Sequence, residues 1–273
     1  MTDDEAASTM TEKPFSYFRQ GDHPGLFHAL ETGFPGWQAD QLHGPAVTGL
    51  LTRATVRAAA ELDPELQLVR GSFDLFAAPR TVDTRVRTEV IRQGRRVTLI
   101  DAFLEQRDRV VARAHVFFSY SGLSPQSELW LPDVPIHPPG PDVPHDGKRR
   151  VHYGAETGWG PEESAPRGAR RGLWQREIEL VQGEQATGFV LAGIAADLTS
   201  LTVNSGSSGI RHINVEATTT LVRAPRGDGI GLFATHVSEH AGISAGSAVV
   251  FDAFGPIGVS TVSAIEHAAP VGR

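Results

Sequence analysis

An aspartate in an apolar setting is the first candidate for chemistry. Asp197 lies within Gly193-Ile-Ala-Ala-Asp-Leu198, a stretch whose other residues are small or aliphatic. A lone carboxylate inside a buried helix is costly unless it is hydrogen-bonded or takes part in a reaction. Burial would raise its pKa toward the pH at which a general base removes a proton from water. The alternative is an aspartate that bonds its own helix or faces solvent.

Metal and phosphate chemistry receive little support from the remaining polar residues. His236 and His240 are four residues apart, but their surroundings have the pattern of a strand and a turn, and the chain has no cysteine, so we predict no metal site. Ser205-Gly-Ser-Ser-Gly209 lacks the lysine of a phosphate-binding loop and is interpreted as a turn. His152 lies in a proline-rich segment and is predicted to be solvated.

Composition narrows the class of protein. The 273 residues are 40% apolar and 21% charged, which is typical of one large or two smaller globular domains. The absence of cysteine excludes disulfides, thiolate metal sites and a cysteine nucleophile. A net charge of −7 argues against nucleic acid as a partner. Since the apolar stretch 188–196 is far shorter than a membrane span and the N-terminus is acidic, we expect a soluble cytoplasmic protein.

The distribution of proline divides the chain. Residues 121–171 contain nine of the 18 prolines, and proline excludes helix interiors and central strands because it lacks an N–H. We therefore predict an N-terminal domain (1–120), a Pro-rich linker (121–171) and a C-terminal domain (172–273).

The two halves resemble each other in sequence. Ala78-Pro79-Arg80 recurs as Ala224-Pro225-Arg226, an offset of 146, and the apolar segment after His43 aligns at an offset of 145 with the one after Gly188. An offset that is nearly constant over some 70 residues indicates an internal duplication.

Each half has the same predicted elements, an apolar helix followed by four β-rich runs separated by turn residues. One long buried helix wrapped by an antiparallel sheet, occurring twice, is an α+β tandem (double) hotdog. The predicted helices are 45–62 and 189–201, and the predicted strands are 66–76, 82–92, 95–105, 109–120, 213–223, 229–240, 246–253 and 257–267.

The sequence resembles the acyl-CoA thioesterase II family, and specifically its single-chain double-hotdog thioesterase-like members. The resemblance extends over about residues 14–120 and 172–267. It is carried by Val90-Ile-Arg-Gln-Gly-Arg-Arg-Val97, Arg109-Val-Val-Ala-Arg-Ala114, Ala196-Asp-Leu-Thr-Ser200, His212-Ile-Asn-Val-Glu216, Leu221-Val-Arg-Ala-Pro225 and Phe251-Asp-Ala-Phe-Gly-Pro-Ile-Gly258.

The resemblance implies hydrolysis of acyl thioesters by water, without a covalent intermediate. In the family, an aspartate on the second helix, a threonine or asparagine on the next strand and a glutamine on the last strand hold the water. Asp197 and Asn214 match the first two positions. The third position falls on Val262 or on Ser263 according to the alignment, and neither is glutamine; of the two, only Ser263 has a hydroxyl that can hold water.

The resemblance also implies a substrate site. His43-Gly44-Pro45 is similar to the His-Gly-Gly helix start of other hotdog thioesterases, in which a backbone N–H binds the thioester oxygen, so Gly44 is the predicted donor. His43 and Ser200 are predicted to contact the substrate. Arg95 and Arg96 are candidates for the CoA phosphates, with ordinary surface charge as the alternative.

The expected function is hydrolysis of acyl-CoA or related acyl thioesters in fatty acid metabolism, at one site per chain, because Thr52 replaces Asp197 in the first half. Two alternatives remain open. A non-catalytic acyl-thioester-binding protein would explain the missing glutamine, whereas an enoyl-thioester hydratase needs a histidine where Thr202 stands. We expect no cofactor, no metal, no nucleic acid and no membrane partner, and by resemblance a homodimer paired through sheet edges.

Overall fold

Two long helices organise the protein. The structure, a computed structural model, describes residues 15–33, 40–122, 129, 136–186 and 188–271. Helix α1 spans Gly44–Leu62 with Pro45 in its first turn, where the missing N–H costs nothing, and helix α2 spans Gly188–Val203. Both predicted helices are confirmed to within two residues. No helix within these described ranges is long and apolar enough to cross a membrane.

The strands follow the predicted runs and add several short ones. The additional strands lie mostly before α1 and between the two repeats. In chain order the strands are β1 (Ser16–Gln20), β2 (Leu26–Ala29), β3 (Gln67–Leu75), β4 (Thr84–Gln93), β5 (Val97–Gln106), β6 (Arg109–Ser119), β7 (Arg150–Gly154), β8 (Gly158–Gly160), β9 (Arg171–Arg176), β10 (Glu179–Val181), β11 (Glu184–Gln185), β12 (Ser205–Gly206), β13 (Gly209–Leu221), β14 (Gly229–His240), β15 (Ile243–Asp252) and β16 (Gly255–Val271).

All these strands belong to one sheet, antiparallel except where β1 lies parallel to β10. From the middle outward, the first half runs β3-β6-β5-β4-β2-β1 and the second runs β13-β16-β15-β14-β9-β7-β8. The four strands after each helix therefore have the same order in both halves. This repeated order is what the repeat in the sequence predicts.

The two halves meet where β3 pairs with β13. Ser72 lies opposite Thr218, and the Thr218 hydroxyl donates a hydrogen bond of 3.0 Å to the Ser72 hydroxyl. These two residues are 146 apart, the offset of the sequence repeat. The same offset takes Arg70 to Glu216 and Asp74 to Thr220, so it exchanges the flanking pairs Arg70–Thr220 and Asp74–Glu216. Equivalent residues thus face each other at Ser72 and Thr218, and the pairs around this point are related as a local two-fold axis requires.

The helices pack against each other beneath the sheet, in a hydrophobic core that is continuous through both halves. Their approach is close at Gly193, where a Cβ would overlap the Thr52 side chain. On α1, Leu50 and Leu51 are fully buried in this core. The core holds the first turn of α1 against the middle of α2.

The predicted linker differs from expectation. Residues 123–128 and 130–135 of it lie outside the described residues, but β7 and β8 extend the sheet of the second half through β9. The physical reason is that residues 145–160 contain no proline, so their N–H groups can join the ladder. His152, on β7, is 1% exposed, so the prediction that it is solvated is wrong.

Stability should reflect the shared core. Leu50→Ala removes a fully buried side chain between the two halves and is expected to lower the free energy of unfolding by about 2–5 kcal/mol. Leu62→Ala, on the same helix but 37% exposed, should cost less than about 1 kcal/mol. Urea unfolding of both variants checks this, and equal losses would contradict the placement of α1.

Candidate active site

The Asp197 carboxylate lies in the middle of α2 and is held from the sheet. Its side chain is 9% exposed, and the neighbouring residues of α2 are buried on most sides. The Asn214 side chain, on β13, donates a hydrogen bond of 2.8 Å from Nδ2 to Asp197 Oδ1. The structure therefore brings together the two residues that the sequence placed on a helix and on the following strand.

Burial sets the protonation of this carboxylate. Loss of hydration raises the pKa of Asp197 from its ordinary value of 3.8 to about 6, and the hydrogen bond from Asn214 acts in the opposite direction without cancelling it. Near neutral pH the group is ionised and can still accept a proton. This is the range that suits a general base.

The first residue of α1 lies against the same carboxylate. A Cβ at Gly44 would overlap the Asp197 side chain, so only glycine permits this approach. The first N–H groups of a helix have no partner within the helix and carry partial positive charge. Because Pro45 has no N–H, Gly44 is the residue at this terminus whose amide can donate. A carboxylate and a potential oxyanion donor thus lie side by side.

A cavity opens at this contact. Its volume is about 1020 Å³, enough for a ligand of substantial size. Asp197, Asn214 and Gly44 line it, together with the chain after β3 and the segment before β9. The acid is therefore buried from bulk solvent but lines a space that can admit a substrate.

The equivalent place in the first half is closed. Thr52 stands there in place of Asp197, and its hydroxyl donates a hydrogen bond of 2.7 Å to the backbone oxygen of Thr48. Leu68 and Phe189 occupy the positions equivalent to Asn214 and Gly44. The space that these side chains leave is about 10 Å³, too small for a ligand. Of the two equivalent places, only the one at Asp197 is open.

Two predicted substrate contacts also reach the cavity. His43 precedes α1 and lines the cavity, and burial, followed by the charges of Lys148 and Arg150, holds its pKa well below the ordinary value. Its imidazole is therefore neutral. Ser200 lies one turn after Asp197, lines the cavity and accepts a hydrogen bond of 3.1 Å from the Asn204 side chain.

Three predicted residues lie elsewhere. Arg95 and Arg96 are exposed in the turn between β4 and β5, next to Ser119. Ser119 pairs with the first residue of β3, whereas the cavity borders the last residue of β3, so the two arginines lie at the opposite end of this strand from the cavity. Ser263 is exposed on the outer face of β16, where its hydroxyl donates a hydrogen bond of 3.3 Å to Glu216. The residue opposite Asn214 is Ala264, which offers no polar side-chain group.

Some residues that line the cavity were not predicted from the sequence. Arg150 and Arg171 reach the cavity from β7 and β9, and His212 lies two residues before Asn214 on β13. The alternation of β13 was a usable signal for His212, since residues two apart share a face. Arg150 and Arg171 carried no such signal. Among the described residues, no group of three or more His, Asp or Glu side chains is placed to hold a metal ion.

Comparison with known protein families matches part of the chain. Residues 34–119 match the family described as the acyl-CoA thioesterase N-terminal domain. Over these residues the chain is similar to acyl-CoA thioesterases. No curated protein sequence matches it. This match supports the hydrolysis of acyl thioesters as the general class of reaction.

Solved structures agree on the fold of the chain. Acyl-CoA thioesterase II TesB2 from Mycobacterium marinum superposes with a TM-score of 0.62 at 13% identity, over 92% of this chain and 95% of that chain. The tesB protein of Mycobacterium avium subsp. paratuberculosis gives 0.64 at 12%, over 91% and 95%. A conserved protein with hot dog fold from Alicyclobacillus acidocaldarius gives 0.59 at 16%, over 92% and 96%. The chain therefore has a hotdog fold.

The raised pKa of Asp197 predicts a pH-dependent stability. Because the folded state binds this proton more tightly than the unfolded chain, the stabilisation is complete below pH 3.8 and is lost as the pH rises through about 6. Asp197→Asn should match the wild type near pH 4 and be more stable by about 3 kcal/mol near pH 8. Urea unfolding at both pH values measures the difference.

Asp252→Asn is the matched control. Although burial acts to raise it, the pKa of Asp252 lies below its ordinary value because Arg223 and two backbone N–H groups bond the carboxylate. Its stabilisation is therefore present at neutral pH and lost in acid, so this variant should be destabilised near pH 8. The same sign for both variants would contradict the assignment of Asp197.

Proposed function

We propose that the protein hydrolyses acyl-CoA or related acyl thioesters in the cavity between α1 and α2, with Asp197 as the base that orients and deprotonates water. The observation that carries this proposal is the placement of one ionisable carboxylate. Asp197 is buried, is bonded by Asn214, adjoins the start of α1 and lines a cavity of about 1020 Å³.

The reaction follows from this arrangement. Asp197 accepts a proton from water while the water oxygen attacks the thioester carbonyl carbon. The carbonyl oxygen becomes an oxyanion, which the Gly44 N–H and the positive end of α1 stabilise. When the tetrahedral intermediate collapses, the C–S bond breaks, and the proton on Asp197 passes to the departing thiolate. The products are a carboxylic acid and a thiol, and Asp197 is again ionised.

The architecture proposed with this function is a duplicated, tandem hotdog with one working site. It is supported by the repeated strand order and by the β3–β13 pairing, which is symmetric about Ser72 and Thr218. The division into an N-terminal hotdog, a linker and a C-terminal hotdog belongs to the same proposal, with β7 and β8 added to the C-terminal part. So does a homodimer joined through sheet edges.

A non-catalytic acyl-thioester-binding protein is the second candidate. It is favoured by one feature of the site, the lack of a third group to hold the water. Ser263 points away from the cavity, and Ala264 stands opposite Asn214. Under this alternative, thioesters would bind in the cavity and remain intact.

Replacement of the base separates the two candidates. Asp197→Ala should lower kcat/KM for a medium-chain acyl-CoA by about 10²–10⁴-fold, the usual contribution of a general base. Wild-type kcat/KM should fall below pH 6 as the carboxylate takes up its proton. Thr52→Val, at the closed equivalent place, is the control and should keep wild-type turnover. Binding without turnover in the wild type would favour the second candidate.

Gly44 provides an independent test from the other half of the chain. Gly44→Ala places a Cβ on the Asp197 carboxylate, so the carboxylate must move away from the start of α1. We expect a loss of at least about 10²-fold in kcat, the usual cost of disturbing an oxyanion site. Gly147→Ala, where a Cβ meets nothing within 4 Å, should be silent. Full activity of Gly44→Ala in steady-state hydrolysis would contradict the role of α1.

A further inference from the structure

A buried arginine lines the same cavity without a counterion. Arg171, the first residue of β9, is 3% exposed and shares a strand face with Leu173, which belongs to the main core. No carboxylate among the described residues lies within 4 Å of its guanidinium group. Among the described residues the guanidinium group has one hydrogen-bonding contact, and it is long, with 3.5 Å between Arg171 Nη2 and His152 Nδ1.

The other buried arginines of the described residues have close hydrogen-bond or ion-pair partners. Arg53 forms two hydrogen bonds of 2.7 Å with Glu184. Arg150 pairs with Asp146 at 2.6 Å. Arg176 donates to three backbone carbonyls of residues 140–143. A buried cation without such partners is expensive, so Arg171 is the exception that needs an explanation.

The charges around Arg171 are mixed, since Glu162 and Glu163 also line the cavity. Burial, followed by the charges of Arg150 and Arg171, lowers the pKa of His152 to about 3, so this imidazole is neutral. Its Nε2 is buried with no hydrogen-bond partner among the described residues. Burial lowers the pKa of Arg171 itself, Glu162 acts in the opposite direction from beyond ion-pair distance, and Arg167 adds positive charge. An anion that enters the cavity would thus find a guanidinium group that forms no ion pair with a carboxylate of the described residues.

We propose that Arg171 binds an anionic oxygen group of the thioester substrate inside the cavity, either a carboxylate at the far end of the acyl group or a phosphate of its CoA carrier. The inference rests on the proposed function, because it takes this cavity to be the thioester site. The planar guanidinium fork matches two oxygens of either group. Binding would supply the missing partner of the buried charge.

Unreactive thioethers test the proposal without relying on hydrolysis. Four ligands form a matched set: S-hexyl-CoA, S-(5-carboxypentyl)-CoA and the two corresponding pantetheine thioethers, which lack the phosphates. Calorimetry would compare the wild type with Arg171→Met. Arg170→Met is the control, because Arg170 is exposed, stacks on Phe233 and does not line the cavity. Arg171→Lys, which keeps the charge but not the fork, is the second variant if the methionine variant does not fold.

Each pattern of affinities has one meaning. If Arg171 binds the acyl carboxylate, Arg171→Met should weaken both carboxypentyl ligands by about 10-fold or more and leave both hexyl ligands within about 3-fold. If it binds a CoA phosphate, both CoA ligands should weaken and both pantetheine ligands should not. Equal affinities in wild type and variant, or an equal loss for all four ligands, would overturn the proposal. Loss of the hydrolytic role of Asp197 would leave these affinities unchanged, so the two failures are distinguishable.

Discussion

The site depends on one contact, the Asp197 carboxylate of α2 against the first residue of α1. Neither helix forms this site alone. The core around α2 removes water from the carboxylate, and the start of α1 places an N–H donor next to it. Both conditions require the two helices to cross at this point. Glycine at residue 44 is what the crossing demands, because any side chain there would occupy the place of the carboxylate. The packing of the two halves therefore creates the candidate site.

A nearly symmetric backbone carries an asymmetric pair of sites. The strands after each helix have the same order, and the β3–β13 pairing is symmetric about Ser72 and Thr218, which are 146 residues apart. The difference lies in a few side chains: Phe189, Leu68 and Thr52 fill the place that Gly44, Asn214 and Asp197 leave open on the other side. Leu68 and Phe189 therefore fill with apolar side chains the space that is a cavity at the equivalent place beside Asp197.

Much of this was predictable from the sequence, for identifiable reasons. The helices and the eight long strands follow from local periodicity, and Asp197, Asn214 and Gly44 stood out because of their setting or the family resemblance. Ser263 was misplaced because it faces outward on β16, where it alternates with the buried Val262 and Ala264. The alignment left the choice between neighbouring residues open, and a step of one residue along a strand moves the side chain to the other face. Arg171 was missed because its importance lies in the absence of a counterion, which only tertiary contacts define.

The cavity combines a base with a buried cation, and these two demands conflict unless the groups are separated. A guanidinium beside Asp197 would lower the pKa of the carboxylate and weaken it as a base. The shift at Asp197 arises instead from burial, opposed by the neutral Asn214 side chain, and Arg171 is not among its causes. The two groups stand on different elements, Arg171 on β9 and Asp197 on α2. In the proposed roles, the guanidinium group holds a substrate anion while the carboxylate keeps the raised pKa that a base needs.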